Sequence, residues 1–101
     1  MNYFLLAASI AVSAAALFDG MSTVRFLHDP RYEEANPAFG KHPTAARVYG
    51  EGSAIIAIEL LVAWWLQHLW GPIGYGIGAG FLYQAYIHVR NARANYKLPV
   101  T

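Results

Sequence analysis

The sequence predicts an all-α integral membrane protein, a single domain over residues 1–101 that forms a three-helix bundle with its N-terminus outside and its C-terminus in the cytoplasm. Three observations carry this expectation. Charged residues make up 13% of the chain and hydrophobic residues 56%, whereas charged residues average about 25% of soluble domains. Three stretches are nearly free of charge: Tyr3 to Val24 holds only Asp19, Gly52 to Leu69 only Glu59 and His68, and Gly71 to Val89 only His88. Each approaches or reaches the roughly 20 residues that cross about 30 Å of hydrocarbon. A soluble helix needs a polar face, and "FLLAASIAVSAAALF" and "IGYGIGAGFLYQAYI" are apolar or small nearly all round.

The third observation is the placement of Lys and Arg. Arg25, Arg31, Lys41 and Arg47 flank or occupy the first connection, and Arg90, Arg93 and Lys97 lie near the C-terminus. The N-terminus and the second connection carry none. With three spans the first loop and the tail share one side, so the positive-inside rule puts both in the cytoplasm. Trp64, Trp65 and Trp70 then sit near the opposite interface as an aromatic belt.

The spans are expected at about 3–28, 45–69 and 72–96, with a cytoplasmic loop over about 29–44. Small residues in "VSAAA" suit signal-peptide cleavage, but no Lys or Arg precedes the apolar run, so the segment reads as a spanning helix. The first helix stops before Asp29-Pro30, because the residue before proline is pushed out of the helical region. Asp29-Pro30 and Asn36-Pro37 each pair a capping residue with a proline suited to a first helical position, and Gly40 ends the short turn opened at Asn36. Thr44 is the candidate cap of helix two, and Arg47 and Glu51 form an i,i+4 pair. "WGPIG" is a tight turn, and Leu98-Pro99 closes helix three.

Helix three carries Gly74, Gly76, Gly78 and Gly80 as two interleaved G-x-x-x-G pairs, which permit close helix approach in lipid. The row Gly76, Gly80, Gln84 and His88 continues toward Asn91 and Asn95, small at one end and polar at the other. It serves either packing within the bundle or self-association.

The ionisable groups fall in the cytoplasmic half. Asp19 lies roughly 13 Å inside the end of helix one, nine residues before His28, with Thr23 one turn below it. Glu59 is near the middle of helix two, Glu51 near its start, and His88 near the end of helix three. An intramembrane carboxylate costs a few kcal/mol and needs an interior partner. For Glu59 the low-cost arrangement is a neutral carboxyl hydrogen-bonded to Gln84, a tyrosine or backbone; for Asp19 the candidates are Arg25, Arg47, Thr23 or the loop. The sharper reading gathers Asp19, Glu34, Glu51, Glu59 and His88 into a proton or cation site. Asp19, Glu59 and His88 are weak metal candidates, without diagnostic ligand spacing. His68, beside "WWLQ", is a weak candidate ligand for haem or another pigment.

The absence of cysteine excludes disulfides, thiolate metal sites and cysteine nucleophiles. A net charge of +1 gives no footing for nucleic acid. No cofactor is required by any motif.

The sets "D-G-M-S-T" and "E-A-N-P-A-F-G" resemble a family of small, uncharacterised prokaryotic membrane proteins with an intramembrane aspartate, a Ser/Thr one turn later and a Glu-x-Asn-Pro loop motif. Asp19, Thr23, Glu34, Asn36 and Pro37 line up, over roughly Phe18 to Pro43. The resemblance implies a helical-hairpin design in a prokaryotic cytoplasmic (inner) membrane and transfers no activity. It suggests that Glu34 and Asn36 fold back onto Asp19 or Thr23 and close the cytoplasmic mouth.

The leading functional expectation is a non-enzymatic accessory subunit, a homo-oligomer or part of a larger membrane complex, packed through the glycine face and surrounded by lipid. Three spans enclose little room for a substrate path. One alternative is an oligomeric proton or cation transporter or channel using Asp19, Glu59 and His88. Another is a pigment-, haem- or metal-binding subunit. A membrane enzyme, with His28, His42, Glu34 and His88 as acid–base candidates, has no catalytic motif in its support.

Overall fold

The computed structural model describes residues 1–29, 31, 32, 34 and 42–100, and all regular structure among them is helical. Three helices follow one another: α1 (Tyr3–Leu27), α2 (Ala45–Leu69) and α3 (Ile73–Tyr96). The expected turn at Asn36, Pro37 and Gly40 lies outside the described residues.

Each start has a local cause. Asn2 caps α1, its Oδ1 accepting from the Leu5 N–H at 3.0 Å. Thr44 caps α2 in the same way, accepting from the Arg47 N–H at 3.1 Å. Side-chain acceptors of this kind satisfy donors that the first helical turn leaves open. Arg47 also reaches forward one turn to Glu51, at 2.9 Å. Between α2 and α3 the chain reverses within Trp70–Pro72, held by Ile73 N–H to Trp70 O at 3.1 Å and Gly74 N–H to Gly71 O at 3.1 Å.

Helices α1 and α3 run parallel and pack along their length. Phe4 stacks on Tyr75 at one end and Phe18 on Tyr96 further along, with centroids 6.0 and 5.4 Å apart. On α1 the buried face is Leu5, Ala8, Ser9, Val12, Ala15, Ser22, Thr23 and Phe26, a helical stripe of mostly small side chains. Serine hydroxyls in that stripe return to their own helix, Ser9 to Leu5 O at 2.7 Å and Ser22 to Asp19 O at 2.7 Å. They therefore bring no unsatisfied group into the seam. On α3 the facing residues include Gly74, Gly78, Phe81 and Ala92.

The glycines divide into two pairs with different surroundings. A Cβ on Gly74 would meet Asn2 Nδ2 at 2.6 Å and Gln67 Cγ at 2.9 Å, and one on Gly78 would meet the Phe4 ring at 2.7 Å. A Cβ on Gly76 or Gly80 meets nothing within 4 Å. The expected continuous row Gly76–Gly80–Gln84–His88 is thus split, with an open glycine end and a polar end turned to a cavity.

Helix α2 is held loosely. Only Val48 and Ala63 are buried on it, while Ile58, Leu61, Trp65 and Leu69 are 61%, 73%, 60% and 63% exposed. Its inner side contributes Ala63, backed by Ile56, Leu60 and Trp64, to a core completed by Leu5, Ala8, Val12 and Phe81. Two helices, α1 and α2, are long and apolar enough to cross a membrane. Helix α3 has 24 residues, but its glycines, tyrosines, Gln84 and His88 leave it less apolar.

The two glycine pairs predict opposite behaviour. Gly78→Leu forces a branched side chain into the Phe4 ring and should destabilise the detergent-solubilised protein by about 1–3 kcal/mol, the usual range for overpacking. Gly76→Leu should leave thermal stability within about 0.5 kcal/mol of wild type, as for substitutions in open surroundings. Equal melting temperatures for the two variants would contradict the packing described.

Candidate functional site

Toward the end of the bundle that carries the α1–α2 loop, α2 stands away from the α1–α3 pair and leaves a cavity of about 1070 Å³. Asp19 and Thr23 on α1, Glu34 in the loop, Glu59 on α2, and Gln84 and His88 on α3 all line it. Residues from four separate stretches of sequence are brought together there. Glu51 is not among them, because its carboxylate turns to Arg47 on the exposed start of α2. Asn36 lies outside the described residues.

The central contact is His88 Nδ1 to Asp19 Oδ2 at 2.7 Å. His88 belongs to the set gathered with Asp19 from sequence, and it takes the place of the individual partners Arg25, Arg47 and Thr23. Arg25 instead donates to the carbonyls of Asn95 and Leu98, at 3.3 and 3.2 Å, and Arg47 pairs with Glu51. Thr23 shares the cavity wall with Asp19. The local helical neighbours lose to a residue 69 positions away because α1 and α3 run parallel and put the two side chains at one level. A hydrogen bond involving a charged group contributes about 1.5–3 kcal/mol. With side chains 18% (Asp19) and 30% (His88) exposed, the pair retains much of that strength.

An ionised carboxylate only accepts hydrogen bonds, so it selects the imidazole tautomer with its proton on Nδ1. The second nitrogen, Nε2, is then left as a hydrogen-bond acceptor. Below the pair, Ser22 hands its own proton to Asp19 O and accepts from Asn95 Nδ2 at 3.0 Å. Asp19 is therefore fixed at both its backbone and its carboxylate.

Glu59 is less well satisfied. Gln84 Nε2 donates to its Oε1 across a long 3.4 Å, the partner expected for it. Its Oε2 is buried with no hydrogen-bond partner among the described residues. A buried carboxylate oxygen without a donor costs more than a neutral group left the same way. Among the described residues it is the buried side-chain atom left without a hydrogen-bond partner.

At the loop end the rim carries a tie built on Asp29, Arg31 and Tyr32, while the Asn36 half of the expected Glu34–Asn36 lock lies outside the described residues. Asp29, nearly inaccessible, accepts from the Arg31 backbone N–H at 3.0 Å and is gripped by its guanidinium. The carboxylate's hydrogen bonds and negative charge hold the Arg31 guanidinium protonated even beyond its ordinary range. Arg31 and Tyr32 then donate to Pro99 O, at 3.1 and 2.6 Å. Tyr32 and Leu98 line the cavity below this tie. Glu34, expected to fold back toward Asp19 and Thr23, lines the same cavity as both. Asp29, expected as a cap, accepts the Arg31 backbone N–H and also anchors the Arg31 side chain. Two residues apart, Asp29 and Arg31 were a legible ion pair; the reach of Tyr32 to the tail was not.

The remaining candidates fall elsewhere. His68 is exposed at the far end of α2, away from the cavity, and His28 and His42 are also outside its lining. Asp19, Glu59 and His88 line one cavity, yet no group of three or more acidic or histidine side chains among the described residues converges closely enough to hold a metal ion. No family model, curated protein or solved structure matches the chain.

Proposed function

We propose that this chain is a small integral membrane protein that binds cations or protons in the cavity between α2 and the α1–α3 pair and relays them toward the loop side. The observation that carries the reading is the Asp19–His88 contact on the wall of a cavity that also holds the incompletely satisfied Glu59. Ionisable groups inside a membrane domain are expensive and mark ion or proton paths more often than they mark stabilising contacts. An imidazole held by a carboxylate at one ring nitrogen keeps the other for a partner on such a path.

The membrane setting has its own support. Two helices have the length and apolarity to cross a bilayer, and α2 turns Ile58, Leu61, Trp65 and Leu69 outward. In water that face would cost roughly 25 cal/mol for each Å² of apolar surface left wet. In lipid it costs nothing comparable. Helix α3 completes a three-span bundle in this reading. The distribution of Lys and Arg orients it with the N-terminus outside and the loop and tail in the cytoplasm.

A second reading, a self-associating accessory subunit, is favoured by the open pair Gly76 and Gly80, which would let another helix approach closely. The same Gly76→Leu protein separates it: an oligomer lost on native mass measurement, at unchanged thermal stability, would favour association through this face.

Two outcomes are expected for the primary reading. In proteoliposomes, Asp19→Asn and Glu59→Gln should each lower proton or monovalent-cation flux at least about tenfold while leaving helicity and assembly intact, as loss of an intramembrane carboxylate on an ion path does. Flux equal to wild type in both would overturn it. For orientation, the chain has no cysteine of its own. A His42→Cys variant in right-side-out vesicles should therefore resist an impermeant maleimide that labels Gly71→Cys, and the reverse pattern would invert the topology.

A further inference from the structure

The charged side chains among the described residues lining the cavity are Asp19, Glu34, Glu59 and the ionisable His88, with no Lys or Arg. The arginines at that end are directed elsewhere: Arg25 to the carbonyls of Asn95 and Leu98, Arg31 to Asp29, and Arg47 to Glu51. Asp19 is matched by His88. The carboxylate oxygen of this lining that lacks a donor among the described residues is Glu59 Oε2. Beside these acids the lining includes the apolar residues Leu17, Ile55, Ile56 and Leu60. A volume near 1070 Å³ is that of pockets which hold drug-sized molecules with a few placed polar groups. A bare inorganic cation would leave the apolar wall unused, and the described side chains do not converge into a metal cage.

We infer that the cavity takes an amphipathic organic amine in its protonated form, with the ammonium on the Glu59 carboxylate and the apolar body against Leu17, Ile55, Ile56 and Leu60. The inference rests on the reading of the cavity as a cation site and names the class of cation. Oε2 is buried, and among the described residues the carboxylate is held by the 3.4 Å bond from Gln84. A modest rotation of the side chain exchanges that long bond for a short charge-assisted one. The ammonium supplies the donor that the described residues do not.

The test uses the full chain in detergent and equilibrium dialysis with two probes of one shape, naphthylmethylammonium and the neutral naphthylmethanol. Saturable binding of the amine is expected, with the alcohol at least about tenfold weaker, the margin of a charge-assisted over a neutral hydrogen bond. Glu59→Gln should weaken amine binding by a similar factor, and Glu51→Gln, outside the cavity, should bind as wild type. No saturable binding of the amine by the wild-type protein, an alcohol as tight as the amine, or unchanged binding in a folded Glu59→Gln protein would each overturn the inference. If Glu59→Gln does not fold, the amine–alcohol comparison on the wild-type chain decides alone. Amine binding without flux in proteoliposomes keeps this inference and removes the relay; proton flux without amine binding keeps the relay and removes this inference.

Discussion

The parallel contact of α1 with α3 depends on the missing side chains at Gly74 and Gly78. Asn2, Gln67 and the Phe4 ring occupy the space that a Cβ at either position would need. That close approach sets the level of every polar pair further down the seam. It puts His88 beside Asp19, and Asn95 beside Ser22, and it brings the α3 tail within reach of Arg25. Small residues and serines bonded to their own backbone let two helices pair tightly without burying an unsatisfied polar group. The seam is dry at one end and polar at the other because the sequence of α3 changes from glycine to Gln84, His88 and Asn95 along one side.

Tight pairing of two helices leaves the third with little to grip. The inner face of α2 has Gly52 and Ser53 where a bulkier side chain would fill space, and the cavity lies against them. Its outer face is apolar, so nothing in water would hold it to this arrangement, whereas a bilayer is indifferent to which helix that face touches. The cavity and the exposed face of α2 are therefore two consequences of one imbalance in packing. In lipid a polar cavity at this depth is also sheltered from bulk water, which strengthens the interactions of Asp19, Glu59 and His88 with each other and with any cation.

Local features of the fold were legible because their causes lie within a few residues. Hydropathy and charge blocks implied three helices without strands, and the Thr44 cap and the Arg47–Glu51 pair follow from spacing along one helix. For Asp19 the sequence gathered His88 into the same site but did not single it out as the partner. Charge and proximity in sequence favour Arg25, and only the parallel register of α1 and α3 makes a histidine 69 positions away the nearer group. For Glu59 the sequence did suggest Gln84, since both are interior polar groups on helices joined by a tight turn. The four glycines of α3 were equivalent in sequence, because interleaved i,i+4 pairs do not say which pair meets a neighbour.

From the sequence alone came the helical class, the number of helices and the set of polar residues that a mostly apolar chain has to accommodate. These depend on composition and on contacts within one turn of helix, where geometry is the same in any protein. Tertiary structure alone decided that Asp19 meets His88, that Glu59 keeps an oxygen without a donor, and that Arg31 and Tyr32 close the rim against Pro99. Those outcomes turn on helix register and separation, which the missing side chains at Gly74 and Gly78 set by allowing α1 to come close, and no spacing along the chain encodes that distance.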